Sequence, residues 1–398
     1  MAYSNWVKGK LVVAQSGGAT AVINNTVAGI IEAGGKAFDD VWGARDGAEG
    51  LLAEDYVDLG DLVADDVQLL AGTPGAALRS SRRKLTDDEL EVVLESFQQH
   101  EICALLFIGG NDSADTAHRL ALLAARRHCD IAVIGVPKTI DNDLPETDHC
   151  PGYGSIARYL AIATMDSAKD TESMPRMYPV KFIEVMGRDA GWVAASSALG
   201  RAEAHDAPHL IYLPERPVSP GDLLADVSAV YERLGHVVAV VSETVRDPSG
   251  RPFAEADAEL DEFGHPLLRG TAASMCRLVQ GQLGLRSRWD KPGSLQRMAM
   301  LCVSSVDLAE ARTVGDAAVE LAVSGETDRM VTLVRESDEP YHCSAGSVGL
   351  ERIANRQRLI PDEFLSQSGR DVSDRFIRYA RPLLGPEPLP RYFRLRAR

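Results

Sequence analysis

Short, unbroken apolar runs alternate along the chain with stretches whose apolar residues recur every three or four positions. Leu11-Val12-Val13-Ala14 is such a run; it ends at Gly17-Gly18, and helical spacing follows from about Val22 to Glu32. Ala104-Leu105-Leu106-Phe107-Ile108 repeats the arrangement, closed by Gly109-Gly110 and followed by helical spacing to about Arg127. Ile131-Ala132-Val133-Ile134-Gly135 is a third run, and others occupy 181–185, 210–213, 237–241 and 330–333. A strand that is apolar at every position is covered on both faces. Such strands between helices predict an α/β protein with mainly parallel sheets flanked by helices.

Helix boundaries fit this pattern. Thr86-Asp87-Asp88-Glu89 predicts a capping box, in which each side chain satisfies a free backbone N–H of the other residue. Ser219-Pro220 predicts a helix start and Gly235 its end, and 308–323 reads as another helix. The polar stretch 245–263 reads as an inserted loop. The tail from Arg381, with four prolines and five arginines, reads as a surface extension. No linker divides the chain. Two α/β lobes with interleaved boundaries are expected: 1–150 with about 295–345, and about 151–294 with 346–398.

Composition changes the picture in one respect. The 398 residues are 45% hydrophobic and 25% charged, as in ordinary globular chains, but the net charge is −16. Nucleic acids and anionic membranes need a basic face, so neither is an expected partner. Cysteines 103, 129, 150, 276, 302 and 343 form no CxxC pair, and the histidines lack zinc spacing and read as structural or surface residues. Met1-Ala2-Tyr3-Ser4-Asn5 has no basic-then-apolar leader pattern, and no run of 18 apolar residues occurs. A cytoplasmic protein is expected.

The candidate chemistry sits at strand ends. The two glycine turns allow close backbone approach to a ligand, and the helices they open offer free N–H groups suited to phosphate. Neither turn is a P-loop or a strict GxGxxG. Pro137-Lys138-Thr139-Ile140-Asp141-Asn142-Asp143, directly after the third run, gathers two carboxylates, a hydroxyl, an amide and an ammonium at the sheet edge where ligands bind. Phosphoryl transfer needs that kit: a base, a metal ligand and a cation to neutralise phosphate. Glu184-Val185-Met186-Gly187-Arg188 ends a further run, with an arginine suited to a sugar phosphate.

These four motifs, in this order and spacing, resemble the phosphofructokinase family from about Gly9 to Leu333. The resemblance implies two similar lobes and phosphoryl transfer to fructose 6-phosphate. Asp141 would be the base at the sugar 1-hydroxyl, supported by Thr139 and Asp143. Met186, Gly187, Arg188 and Glu215 would contact the sugar, and Arg288 and Arg297 its 6-phosphate. Gly17, Gly18, Arg82, Gly110, Asp112, Ser113 and Lys138 would hold the phosphoryl donor. Mg²⁺ is the expected cofactor, with Asp112 and Asn111 as candidate ligands, and a homodimer or homotetramer the expected assembly.

Two positions bear on the donor. Asp112 adds bulk and negative charge where the ATP-using form resembles a small residue, and Lys138 is a cation able to meet a short diphosphate. Both resemble the pyrophosphate-dependent branch; an ATP-dependent kinase and a catalytically silent sugar-phosphate-binding protein are the alternatives. The chain departs from the family pattern at Asn111, where Asp is usual, at Arg79 in place of a glycine, at Ser294, and at Pro179 in place of an arginine, for which Lys181 and Arg176 are the candidate substitutes.

Overall fold

The computed structural model describes residues 7–253, 255–260 and 266–393. The N-terminal segment Met1–Asn5 and the last residues of the tail lie outside them, as do parts of the 245–263 stretch. The chain divides into two compact units. The first holds Met1–Ser155 and Arg297–Arg358, the second Ile156–Gln296 and Leu359–Arg398.

The first unit is built on a seven-stranded sheet in the order β13-β12-β5-β4-β1-β2-β3. Its strands are β1 (Val7–Gln15), β2 (Phe38–Ala44), β3 (Tyr56–Asp58), β4 (Ile102–Gly109), β5 (Ala132–Pro137), β12 (Arg329–Asp338) and β13 (Tyr341–Gly349). The central strands β12, β5, β4, β1 and β2 run parallel, and the edge strands β13 and β3 antiparallel. Successive residues of each apolar run feed opposite faces. Leu11, Val13, Leu106, Ile108 and Ile134 pack under helices Ile23–Gly34 and Ser305–Val323, with Ile30 and Val314 among their neighbours. Val12, Ala14, Leu105, Phe107 and Val133 pack under helices Asp87–Gln99 and Asn111–Arg126. Period-two alternation therefore explains why these runs have no polar face. The capping box forms: Thr86 Oγ1 accepts from Glu89 N, and Thr86 N donates to Glu89 Oε2 at 2.9 Å.

In the second unit, β6 (Val180–Val185), β7 (Leu210–Tyr212), β8 (Val237–Ser242) and β11 (Ser287–Asp290) form a parallel sheet in the order β11-β6-β8-β7. Phe182, Tyr212, Ala239 and Val241 pack with Val227, Met275 and Val279 of helices Pro220–Leu234 and Thr271–Leu283.

Three expectations are corrected. The 245–263 stretch is not wholly loop: β9 (Glu255–Leu260) pairs antiparallel with β10 (Pro266–Arg269). Pairing there overrides an Asp-rich composition that reads as loop. Residues 346–358 belong to the first unit rather than the second, because β13 and the segment after it bond to that unit's sheet and turns. The tail is also less of a free extension than its composition suggests. Leu383 and Leu384 are buried, and Arg158 donates to the carbonyls of Leu384 and Glu387. Among the described residues no helix is long and apolar enough to cross a membrane.

Candidate functional site

In the first unit, the parallel register aligns the carboxyl ends of β1, β4 and β5. Ser16 N donates to Ile108 O at 2.8 Å, and Lys138 N to Gly109 O at 3.1 Å. Both glycine turns and the 138–143 loop thus lie along one sheet edge. Lys138 is 3% exposed, and its ammonium donates to Gly18 O at 2.8 Å. Burial pushes its pKa down to about 8, helped by the nearby charges of Arg297 and Arg82 and opposed by Asp141 and Asp143. A buried cation with two cationic neighbours is poised for an anion that neutralises all three. Arg297 stands at the same turn: a Cβ on Gly18 would lie 2.6 Å from its Nη1, and its Nε is buried with no hydrogen-bond partner. Arg82 is exposed. Gly17 has φ +76°, and a Cβ there would lie 3.0 Å from Lys138 Nζ. Gly17→Ala is therefore expected to lower stability by about 1–2 kcal/mol through left-handed strain, read as a lower midpoint in thermal or denaturant unfolding.

The second turn is equally close-packed on one side and open on the other. A Cβ at Gly109 would collide with the hydroxyl of buried Ser113, whereas Gly110, which precedes helix Asn111–Arg126, faces open space. Asn111 Oδ1 accepts from Asp112 N at 2.8 Å, and Asn111 Nδ2 donates to Arg356 O at 3.3 Å. The exposed Asp112 carboxylate pairs with Lys84 at 2.6 Å. Among the described residues no group of three or more His, Cys, Asp or Glu is placed to hold a metal. Mg²⁺ needs no such cage, since it is commonly bound by one carboxylate together with substrate phosphates and water. Asp112 with the Asn111 amide oxygen suits that mode.

In the 138–143 loop, Thr139 Oγ1 donates to Asp143 Oδ1 and accepts from Asp141 N, each at 3.1 Å. Asp141 interacts electrostatically with Lys138 and Arg297. Burial raises the pKa of Asp143, and hydrogen bonds from Gln357 and Thr139 partly offset this. Asn142 adopts φ +53°, and its side chain accepts from Cys150 N. Arg79 explains one departure from the family pattern. It adopts φ +60°, the conformation that favours glycine, and pairs with Asp46 at 3.1 Å and Asp55 at 3.8 Å. His149 has a structural place, buried between Asp148 and Glu310. Burial opposes its charge, but bonds to those carboxylates hold its pKa at about 9.

In the second unit, β6 leads into Met186-Gly187-Arg188. Gly187 has φ +112°, and its carbonyl and that of Arg188 accept from the hydroxyls of Ser242 and Thr244. The Arg188 side chain is exposed. Glu215 Oε1 accepts from Gly191 N at 2.8 Å and Ile360 N at 3.1 Å, while its Oε2 is buried with no partner. Burial raises its pKa. Arg288, on edge strand β11, lies over the Tyr178 ring at 3.4 Å. Lys181 is not available to a substrate: it is buried and paired with Asp170 at 2.7 Å and Asp290 at 3.3 Å.

Lys138, Thr139, Asp141, Asp143, Arg297 and the first turn are thus brought together within one unit, and Met186, Gly187, Arg188, Glu215 and Arg288 within the other. Three contributors escape sequence reading. Gln296, 2% exposed, accepts from Met186 N at 3.1 Å. Gln357 and Arg358 bond to the 138–143 loop from more than 200 residues away. Gln296 adjoins Arg297 and carried a local signal; the other two carried none.

Comparison with known proteins bears on the family of the whole chain. The family model "Phosphofructokinase" matches residues 10–322. A pyrophosphate–fructose 6-phosphate 1-phosphotransferase of Xanthomonas campestris pv. campestris is 39% identical over 402 residues, covering 98% of this chain and 96% of that protein. One from Rhodospirillum rubrum is 39% identical over 398 residues, covering 98% and 97%. The crystal structure of a pyrophosphate-dependent phosphofructokinase from Marinobacter aquaeolei superimposes with a TM-score of 0.87 at 35% identity, covering 97% of this chain and 94% of that one. With matches over nearly its whole length, the chain belongs to the phosphofructokinase family.

Proposed function

We propose that this enzyme moves a phosphoryl group reversibly between pyrophosphate and the 1-hydroxyl of fructose 6-phosphate, giving fructose 1,6-bisphosphate and phosphate. The observation that carries the donor assignment is Lys138, a buried ammonium seated against the Gly17-Gly18 turn beside Arg297. It supplies the charge that a short, highly anionic diphosphate needs, and Asp112 at the second turn disfavours a longer nucleotide chain by bulk and repulsion.

In the forward direction Asp141 accepts the proton of the sugar 1-hydroxyl. The oxygen bonds to the nearer phosphorus of pyrophosphate as the bridging P–O bond breaks, and inorganic phosphate leaves. Lys138, Arg82 and Arg297 neutralise the anionic oxygens, and the N–H groups at Gly110, Asn111 and Ser113 orient the donor. Asp143 and Thr139 hold the loop that carries Asp141. Met186, Gly187, Arg188, Glu215 and Arg288 bind the sugar phosphate; Arg297 is also the residue to which the family resemblance assigns the 6-phosphate. Asp112 and Asn111 would hold Mg²⁺, which when bound supplies further charge neutralisation. The first unit is accordingly the donor lobe and the second the sugar-phosphate lobe of a cytoplasmic homodimer or homotetramer.

The test is a coupled assay of the purified protein with fructose 6-phosphate and Mg²⁺, comparing pyrophosphate with ATP. Turnover with pyrophosphate alone is expected. Turnover with ATP alone overturns the donor assignment, and turnover with neither removes the acceptor as well.

A further inference from the structure

Four consecutive residues of the first unit, after β13, each bond either to the start of helix Asn111–Arg126 or to the loop that follows β5. Asn355 Nδ2 donates to Asp115 Oδ1 at 2.7 Å, in the first turns of helix Asn111–Arg126. Arg356 O accepts from Asn111 Nδ2 at 3.3 Å. Gln357 Nε2 donates to Asp143 Oδ2 at 3.1 Å. Arg358 N donates to Asp143 O at 2.7 Å. Its guanidinium spans three backbone carbonyls: Asn142 O at 2.9 Å, Thr147 O at 2.7 Å and Asp148 O at 2.8 Å.

A guanidinium fork is suited to this, because its donors lie in one plane at fixed spacing. The carbonyls belong to a loop that has no strand or helix of its own between β5 and helix Tyr153–Ser173. Such a loop gains its geometry from outside itself. Asp143 is held from two directions, by Thr139 Oγ1 on one oxygen and Gln357 Nε2 on the other. Both partners are donors, and donors to both oxygens favour the ionised form of a carboxylate.

We propose that residues 355–358 form a strap whose Gln357 and Arg358 are positioning residues, fixing the 141–148 loop and holding the Asp143 carboxylate with donors that favour its ionised form. The proposal rests on the reading of Asp141 as the base and Asp143 as its support. Arg358 on the strap and Lys138 on its own loop interact electrostatically with Asp143. The neighbouring Cys150 thiol, pushed up to about 12 by burial, stays neutral. Burial raises the Asp143 pKa, and the bonds from Gln357 and Thr139 and the Arg358 charge lower it. Removing the Gln357 donor therefore moves that pKa up, and activity that needs the ionised form is lost at a higher pH than before.

The experiment measures the pH profile of kcat/KM for Gln357→Leu and Gln357→Glu in the full-length protein, with thermal unfolding alongside. Gln357→Leu is expected to move the acid limb upward by about half to one unit, so that activity falls up to about tenfold on that limb and recovers at higher pH. Gln357→Glu, which sets a second carboxylate against Asp143, is expected to move it further. A loss equal at every pH, or no displacement of the limb, would overturn the role assigned to Gln357. Amide hydrogen exchange over 139–150 tests the strap without reference to turnover. Arg358→Met, or Arg358→Lys if the first does not fold, is expected to speed exchange there while leaving the second unit's sheet unchanged. Unchanged exchange over 139–150 would overturn the strap. A wild-type protein with no pyrophosphate-dependent turnover would remove the proposed function, and the exchange measurement would still decide the strap.

Discussion

Asp141→Ser is expected to lower kcat by a factor of about 10² to 10⁴, the range for removing a positioned general base, while fructose 6-phosphate affinity changes little. The split follows from where Asp141 stands. It lies in the first unit, on a loop whose backbone N–H bonds to Thr139 Oγ1, with the charges of Lys138 and Arg297 acting on its carboxylate. The groups proposed to bind the sugar phosphate, from Met186 to Arg288, are in the second unit and keep their own partners. Serine removes the carboxylate without adding bulk, so the loop retains its Thr139 and Arg358 bonds. Turnover by steady-state kinetics and sugar binding by calorimetry check the two halves separately. Unchanged turnover would remove Asp141 as the base.

The second large effect belongs to Lys138. Lys138→Met keeps the length and apolar stem of the side chain but removes the ammonium. A charge-assisted hydrogen bond contributes about 1.5–3 kcal/mol, so KM for pyrophosphate is expected to rise roughly 10- to 100-fold. The wild-type protein should carry the same signature in its pH dependence. The pKa of Lys138 is lowered to about 8, first by burial and then by Arg297 and Arg82. The charged form is therefore present below about 8 and lost as pH rises through it, well before an ordinary lysine would deprotonate. Since kcat/KM reports the free enzyme, kcat/KM for pyrophosphate should fall about tenfold per unit above that point. In Lys138→Met this alkaline limb should be missing. An alkaline limb that persists in the variant would assign the titration to another group.

Much of the fold was legible because several strands carry an unbroken apolar run. Leu11 to Ala14 and Ala104 to Ile108 lie between two helical layers, and residues buried on both faces carry a signal that needs no tertiary context. The edge elements were not legible for the converse reason. Strand β13, Tyr-His-Cys-Ser-Ala-Gly-Ser-Val-Gly, is mostly part-buried with a mixed composition, and only its ladder to β12 makes it a strand. β9 and β10 likewise exist through their mutual pairing.

The site divides along the same line. Local spacing determined which residues lie at the carboxyl ends of β1, β4, β5 and β6, because a glycine turn or a charged loop directly after an apolar strand can sit nowhere else. Hence Gly17, Gly18, Lys138, Asp141 and Arg188 are readable as candidate ligand contacts from the order of residues alone. The tertiary structure decided how those groups are charged and held. The depressed pKa of Lys138 arises from burial with Arg297, 159 positions away in the chain. Glu215 is bonded by Ile360, and Asp143 by Gln357. Electrostatic and hydrogen-bond energies depend on distance in space and on exclusion of water, and neither is encoded in the spacing of residues along the chain.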